Sequence, residues 1–307
     1  MRRSRPGAVL GLSTKPVIYG SLAAWLAGVP RRYALVAGLG YVFTDDGAPQ
    51  GLKRRALRRL VTLLYRMAFR VCDCVFFHNA DDLETFVGHG LLPRAKAELT
   101  TGSGVDLDEF RPAPLPDGPV TFLLIARLLR EKGIREYVEA ARMLRARGVQ
   151  AQFLLLGDVD SNPGSLKRDE AMSWVSEGLI EWPGEVEDVR PWIARSHVYV
   201  LPSWREGVPR STQEAMAMGR PVITTDAVGC RETVDHGVNG FLVPVRDPEA
   251  LAHAMFRFIE NPALIETMGR ESRRLAEERF DVHEINAIIL GAMGISSHLP
   301  RDEGLKD

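Results

Sequence analysis

Short apolar runs rich in β-branched residues alternate along the chain with longer stretches in which apolar residues recur at helical spacing. The short runs predict strands at residues 33–37, 74–77, 120–125, 152–156, 198–201, 221–224 and 241–243. The longer stretches predict helices at residues 52–70, 81–87, 133–147, 165–176, 189–194 and 211–218, and the pattern after residue 247 is helical almost to the end. Alternating strands and helices are typical of βαβ units, so the predicted fold class is α/β, with parallel sheet covered on both faces.

A proline-rich segment, residues 111–119, divides this pattern. It holds four prolines and one glycine in nine residues, a composition that favours a semi-rigid linker over helix or strand. We therefore predict a first domain at 1–110 and a second, complete doubly wound domain at 120–280. The first domain is shorter than a complete one by at least a βαβ unit of about 30 residues. Residues 281–307 are predicted to form a C-terminal helix that crosses back to the first domain, followed by a tail.

The overall net charge of −1 hides an uneven distribution. Residues 1–100 carry 15 Lys and Arg against 7 Asp and Glu, whereas the remainder carries 24 against 33. Such asymmetry favours an anionic partner for the first part, although an accident of surface composition would look the same. The three cysteines indicate reduced thiols in a cytosolic protein. The apolar stretch at 17–29 is shorter than the roughly 20 residues of a membrane span, so neither export nor spanning is predicted.

Two glutamates, Glu206 and Glu214, lie in a segment that reads strand, loop, helix, glycine turn, strand over residues 198–223. In an open α/β sheet, ligands bind beyond the carboxyl ends of the strands, where a following helix offers unpaired N–H groups to an anion. Carboxylates beside a diphosphate would repel it, so these two should instead accept hydrogen bonds from hydroxyls. A nucleotide sugar has hydroxyls on both sides of its phosphates. The alternative is a pair of solvated glutamates.

A second candidate stretch covers residues 122–134, where a buried strand ends in Arg127 and Lys132 precedes Gly133. An arginine fork and a lysine point charge at the mouth of a strand–helix crossover suit a diphosphate. Arg130 is a competing candidate, better explained as a solvated residue at the helix start. The chain has no G-x-G-x-x-G motif, which argues against a dinucleotide dehydrogenase.

In this context the spacing of Glu206 and Glu214 resembles the E-x7-E motif of retaining GT-B glycosyltransferases of family 4, and Arg127 and Lys132 match that family's diphosphate-binding pair. The resemblance implies two Rossmann-like doubly wound domains, the first incomplete here. It implies that Glu206 contacts the transferred sugar, that Glu214 contacts the ribose, and that Arg127 and Lys132 stabilise the leaving group. The residues it assigns to catalysis are Glu206, Arg127 and Lys132. Those it assigns to the donor are Arg127, Lys132, Gly157, Gly184, Val186, Glu206, Val208, Arg210, Ser211 and Glu214.

The first domain resembles the acceptor half of the same family, through residues 15–24 and 38–43. The pattern is similar to the branch that builds capsular, O-antigen and other lipid-linked glycans. The family's first strand and glycine-rich acceptor loop are expected before Arg5. Many members also carry a donor-contacting histidine where this chain has Ala37, and no obvious substitute is found among its seven histidines.

The predicted helix at 52–70 is strongly basic and contains no acidic residue. An apolar stripe accompanies the positive charge, a combination typical of helices on anionic membrane surfaces. The alternative is a core helix with a solvated basic face. Nucleic acid is not a predicted partner, because aromatic residues do not interleave with the basic ones. The basic residues are Lys53, Arg54, Arg55, Arg58, Arg59, Arg66 and Arg70, and the stripe is Leu57, Leu60, Leu63, Leu64 and Met67.

Together these features predict a glycosyltransferase that moves a sugar, with retention, from a nucleoside-diphosphate sugar to a lipid-linked or polysaccharide glycan acceptor. UDP is favoured over GDP. No cofactor is expected, and no metal, because no cluster has ligand spacing. The predicted location is the cytoplasm, with peripheral attachment at the inner membrane face. Two alternatives remain: a catalytically impaired nucleotide-binding remnant, and a GT-B nucleotide-sugar epimerase.

Overall fold

A computed structural model describes residues 4–38, 52–162 and 164–295. The first of its two parallel sheets has the strand order β1-β2-β3-β4. Strands that follow one another in the chain are also neighbours in this sheet. Because they are parallel, the connections between them run over the faces of the sheet. The strands are β1 (Ala8–Leu12), β2 (Arg31–Val36), β3 (Cys74–Phe77) and β4 (Ala97–Leu99).

The second sheet has six parallel strands in the order β10-β9-β8-β5-β6-β7. The strand order reverses between β5 and β8, and this is the point at which open α/β sheets bind ligands. These strands are β5 (Thr121–Ile125), β6 (Gln152–Leu156), β7 (Glu181–Gly184), β8 (Val198–Leu201), β9 (Val222–Thr225) and β10 (Gly240–Val243).

Helices cover both faces of the second sheet, as the alternation of side chains in β5 shows. Phe122 and Leu124 join one apolar cluster, whereas Leu123, which points the opposite way, joins another. All three side chains are fully buried. In chain order the helices are α1 (Ser21–Leu26), α2 (Leu52–Val71), α3 (Ala80–Gly88), α4 (Ile134–Ala146), α5 (Arg168–Ser176), α6 (Arg190–Ala194), α7 (Arg210–Ala217), α8 (Pro248–Glu260), α9 (Ala263–Arg279) and α10 (Val282–Ala292).

The structure contains elements that the hydrophobic pattern did not predict. The strands β1, β4 and β7 are short edge or near-edge strands, and β7 includes Pro183, which is tolerated there because an edge strand needs fewer backbone donors. The stretch 17–29, considered above as a possible span, forms a π-helical turn (Pro16–Gly20) and then α1. Over the described ranges, no helix combines the length and the apolar character that crossing a bilayer demands.

The chain crosses between the two sheets twice. Segment 111–119 carries it from the first to the second, and α10 brings it back. Met293, which follows α10, contacts the first sheet. Its carbonyl oxygen accepts a hydrogen bond from Arg31 Nη1 of β2 at 2.9 Å, and its side chain packs with Tyr33. Where the two crossings meet, Val105 N donates to Phe280 O at 2.8 Å. The domain limits given above stay a prediction, and residues 296–307 lie outside the described part.

Candidate active site

A cavity of about 360 Å³ lies at the carboxyl edge of the second sheet, beyond the ends of β5 and β6. Three of the predicted donor-binding residues, Arg127, Gly157 and Val186, line it. It lies at the carboxyl edge of the sheet, beside the point between β5 and β8 where the strand order reverses, which is where open α/β sheets bind ligands. The complete lining is Ile125, Ala126, Arg127, Leu156, Gly157, Asp158, Val159, Asp160, Glu185, Val186 and Val189.

Backbone contacts between β6 and β7 build the wall of this cavity. Gly157 N donates to the carbonyl oxygen of Gly184 at 2.8 Å, and Trp182 Nε1 donates to the carbonyl oxygen of Gly157 at 2.7 Å. Gly184 therefore supports the wall through its carbonyl group. The guanidinium of Arg168 lies 5.2 Å from the centre of the Trp182 ring and pairs with Asp158 at 2.5 Å. These contacts fix the position of the cavity wall.

Arg127 stands at the mouth of the cavity and is 65% exposed. Its Nη1 donates to Asp160 Oδ2 at 2.6 Å. The backbone N–H of Asn162 and the Arg127 guanidinium together lower the pKa of Asp160 below its ordinary value. An exposed pair of this kind contributes little to stability, so an anion of higher charge can compete with Asp160 for the guanidinium.

Lys132 and Glu206 form an ion pair at the switch point, with Nζ and Oε1 2.5 Å apart. The side chains are 20% and 13% exposed, so the pair is largely shielded from water. Gly133 makes this contact possible: its φ is +71°, and a Cβ there would lie 2.0 Å from the carbonyl oxygen of Pro202. Only glycine lets the turn before α4 lie against the end of β8, and this close approach brings Lys132 to Glu206.

The helix α7 carries the second predicted glutamate. Arg210 Nε donates to Glu214 Oε1 at 2.9 Å. Burial raises the pKa of Glu214, and the neighbouring Arg210 opposes that change. The first turn of α7 is tied to the cavity, because Tyr199 donates to Ser211 Oγ at 2.6 Å and Ser211 donates to the carbonyl oxygen of Ile125 at 3.3 Å.

Val208, also predicted to bind the donor, is buried in the apolar cluster beneath α7. The structure thus uses its side chain as a core residue. The remaining predicted residues divide between two neighbouring places. Arg127, Gly157, Gly184 and Val186 form or support the cavity, whereas Lys132, Glu206, Arg210, Ser211 and Glu214 lie along the β8–α7 side.

Three polar residues of the first domain face the Glu206 loop and were missed by the sequence reasoning. They are His78, Asn79 and Asp82, which follow β3 directly. Burial lowers the pKa of His78 to about 4, so its ring is neutral near pH 7. A Cβ placed on Gly207 would lie 3.6 Å from His78 Nδ1, which brings this ring close to the loop. These residues could have been identified from the sequence, because they form a polar cluster at the carboxyl end of the strand predicted at residues 74–77.

A second cavity, of about 510 Å³, lies between the linker and α9. It is larger, but it is lined by the linker, the turn after α7 and α9, and not by the carboxyl ends of the strands where open α/β sheets bind ligands. We therefore place the site at the smaller cavity. Among the described residues, no three His, Cys, Asp or Glu side chains are placed to share a metal ion.

Two parallel sheets covered by helices, joined by a linker and by a C-terminal helix that returns to the first sheet, are the arrangement of the GT-B class of protein. Comparison with known proteins agrees. Residues 119–261 match the family described as "Glycosyl transferases group 1". The solved structure of sucrose-phosphate synthase from Thermosynechococcus elongatus superposes with a TM-score of 0.77 at 24% identity, over 94% of this chain and 73% of that one. The Anabaena HepE protein in complex with UDP gives a TM-score of 0.75 at 20% identity, over 93% and 78%.

Among curated relatives, the chain is 29% identical over 259 residues to the N,N'-diacetylbacillosaminyl-diphospho-undecaprenol alpha-1,3-N-acetylgalactosaminyltransferase of Campylobacter jejuni, which covers 80% of this chain and 66% of that protein. The chain spans between about half and two thirds of the length of the first curated relatives it matches. Over residues 119–261 the chain is similar to the glycosyl transferases group 1 family. The predicted α/β class and the GT-B arrangement of Rossmann-like domains are confirmed.

Proposed function

We propose that the protein transfers a sugar, with retention, from a nucleoside-diphosphate sugar to a lipid-linked or polysaccharide glycan acceptor. One observation carries this proposal: the shielded Lys132–Glu206 pair lies at the switch point between β5 and β8, and the cavity lined by Arg127 lies next to it, beyond β5 and β6. Cationic groups that can bind phosphates therefore lie beside carboxylates that can accept hydrogen bonds from hydroxyls. A ligand that contains both phosphates and hydroxyls needs this combination.

The contacts in the free protein indicate how the donor would be held. Arg127 exchanges Asp160 for the diphosphate, which carries more charge, and Lys132 adds a second cation on the other side. Stabilising the negative charge of the departing diphosphate is then the largest catalytic contribution. Glu206 accepts hydrogen bonds from the sugar and Glu214 from the ribose, since carboxylates cannot lie against the phosphates themselves.

The identity of the substrates is supported by the related proteins. The HepE structure was solved with UDP, which favours UDP over GDP as the carrier here. The Campylobacter relative is named for an acceptor carried on diphospho-undecaprenol, which favours a lipid-linked acceptor. In this proposal no metal is needed, because Arg127 and Lys132 supply the positive charge at the diphosphate.

Binding of UDP to the second domain is the first test. At about 100 times its Kd, UDP is expected to raise the Tm by about 5–10 °C, and to do so in the presence of EDTA as well. Replacing both Arg127 and Lys132 with alanine should abolish this shift, because both cations are lost. The matched control is Arg130→Ala, an exposed arginine between them that should keep the full shift. An undiminished shift in the double variant would remove both residues from the site.

We also propose that α2 lies on an anionic membrane surface. The buried side of this helix consists of Tyr65, Ala68 and Phe69, so most of the leucine stripe identified in the sequence is not packed into the core. Leu57, Leu60, Leu63 and Met67 are between 45% and 53% exposed, beside exposed arginines. Exposed apolar side chains with positive charge complement an anionic headgroup layer. The side chains of residues 52–54 lie outside the described part, as do residues 39–43 of the predicted acceptor motif.

Vesicle sedimentation tests this surface. The protein is expected to sediment with vesicles of phosphatidylglycerol and phosphatidylcholine, to stay in solution with phosphatidylcholine alone, and to be released by salt. Reversing two exposed charges, Arg55→Glu with Arg59→Glu, should weaken binding at least 30-fold, at about 1 kcal/mol for each positive charge removed. The control, Arg145→Glu with Arg147→Glu, makes the same change of charge at the C-terminal end of α4 and should bind as the wild type does. Equal sedimentation with neutral vesicles would contradict the proposal.

A further inference from the structure

The first domain contacts the loop that carries Glu206 on both sides of that residue. Before Glu206, Arg205 forms an ion pair with Asp82 of α3. After it, the carbonyl oxygen of Gly207 accepts a hydrogen bond from Asn79 Nδ2 at 2.7 Å. We call these four residues, Asn79, Asp82, Arg205 and Gly207, the interdomain clamp. Glu206 is therefore held between two contacts that only the closed arrangement of the domains supplies.

The acidic half of the clamp is fully enclosed. The side chain of Asp82 is 0% exposed and that of Arg205 is 20% exposed. Burial raises the pKa of Asp82, and the charge of Arg205 and a hydrogen bond from Asn79 oppose that rise. A buried carboxylate is costly unless it is paired with a cation. Opening the domains would separate Asp82 from Arg205, so the ion pair favours the closed arrangement. Within the part of the chain that the structure describes, Arg205 Nε finds no acceptor, so Asp82 is what holds this guanidinium.

Asn79 has two separate roles that can be tested separately. Its Oδ1 accepts the Asp82 N–H at 2.8 Å and so caps the N-terminus of α3, while its Nδ2 donates across the cleft to Gly207. The same Nδ2 lies 3.1 Å from Asp82 Oδ2, which orients the amide. Aspartate in this position would keep the cap, lose the donor to Gly207 and place a second carboxylate beside Asp82, so it would break the clamp without removing the cap.

Gly207 permits the close approach of the domains. A Cβ on this residue would lie 1.8 Å from the carbonyl oxygen of Ala37, just after β2. Any other residue would push the loop away from the first domain. A further ion pair, between Arg231 and Asp81 of α3 at 2.6 Å, also joins the two domains.

We propose that Asn79 and Asp82 are positioning residues for Glu206, an inference that rests on the proposed function of this site. When the domains close, the clamp fixes the backbone on both sides of Glu206 and so sets where its carboxylate meets the donor sugar. A donor bound to an open second domain keeps its diphosphate contacts, but its sugar is held loosely. In this proposal Glu206 takes its reactive position only when the first domain, which is expected to bind the acceptor, contacts the second.

The variant Asn79→Asp tests the clamp with the α3 cap intact. Its Kd for UDP should stay within about twofold of the wild-type value, because UDP has no sugar and needs no clamp. Its kcat for transfer from UDP-N-acetylgalactosamine to N,N'-diacetylbacillosaminyl-diphospho-undecaprenol, the sugar and acceptor in the name of the Campylobacter relative, should fall by about 10- to 100-fold, the cost of a displacement near 1 Å. Glu84→Gln, an exposed acid on the same helix, is the matched control and should keep the wild-type kcat.

A double-mutant cycle tests the ion pair. Asp82→Ala and Arg205→Ala should each lower kcat, and the double variant should be no slower than the worse single variant, because the two residues act as one unit. Small-angle scattering without nucleotide gives an independent reading. Wild type should be compact, and the clamp variants should have a larger radius of gyration.

The outcomes separate the two proposals. A wild type that binds UDP, with an Asn79→Asp variant of unchanged kcat, would overturn the positioning role alone. Additive losses in the cycle, or an unchanged radius of gyration in every clamp variant, would also overturn it. A wild type that binds no UDP would overturn the proposed function, and the role of the clamp in that function with it.

Discussion

Replacing Glu206 with glutamine is expected to lower the rate of sugar transfer by about 10²- to 10³-fold and to leave the Kd for UDP unchanged. The Glu206 carboxylate lies in a shielded pair with Lys132, where its charge is weakly screened. As the diphosphate departs, the sugar ring gains positive charge, and hydrogen bonds from its hydroxyls to a carboxylate become stronger. Glutamine keeps the shape and one acceptor oxygen but loses the charge, so the loss should fall on the transition state.

Two measurements separate this expectation from simple damage to the fold. The Kd for UDP, measured by calorimetry, should be unchanged in Glu206→Gln. The rate of UDP release in the presence of a lipid-linked acceptor should be nearly abolished. Glu187→Gln, an exposed acid in the loop before α6, makes the same chemical change and should leave both unchanged. Transfer by Glu206→Gln within about threefold of the wild-type rate would assign the sugar contact to another residue.

The largest loss of stability is expected from Arg220→Met, which should lower the free energy of unfolding of the second domain by about 3–5 kcal/mol. Arg220 is 1% exposed, and its guanidinium joins the linker to the end of α6 and to the turn after α7. Methionine fills much of the same volume but donates nothing, so buried acceptors lose their partner. Those acceptors are the carbonyl oxygens of Ala113, Pro114, Ile193, Ala194 and Met218.

Unfolding in urea, followed by tryptophan fluorescence, measures this loss. Arg195→Met is the natural comparison, because Arg195 is an exposed arginine close to Ile193 and Ala194 whose ion pair with Glu181 lies at the surface. Its removal should cost less than about 1 kcal/mol. If Arg220→Met cost no more than Arg195→Met, water would have to reach the buried carbonyl groups, and the linker would be less tightly held than the structure indicates.

Much of the fold followed from the pattern of apolar residues in the sequence, since a strand buried on both faces is a continuous apolar run. The strands β3, β6 and β8 begin and end where the apolar runs predicted, because each lies inside a sheet and is apolar on both faces. Elements at the margins gave no such signal. β1 and β4 are edge strands with partly exposed residues, and their short runs do not stand out from the surrounding loops.

For the candidate site, the sequence predicted residue types at strand ends but not which of them would meet. Lys132 and Glu206 are 74 residues apart, and their contact depends on how closely Gly133 approaches Pro202 in the folded chain. The roles assigned to them stay predictions. Asn79 and Asp82 were missed because their partners lie in the other domain, and no local pattern reports a contact between domains.

The return of the chain to the first sheet bears on the order in which the molecule can be made. The face of β2 and β3 that carries Tyr33, Leu35 and Phe76 is closed by Met293 and Ile289 of the α10 region. A ribosome releases those residues only after the whole second sheet has emerged. The apolar face of the first sheet, although made before the second sheet, therefore receives its last covering layer only after the second sheet has been made.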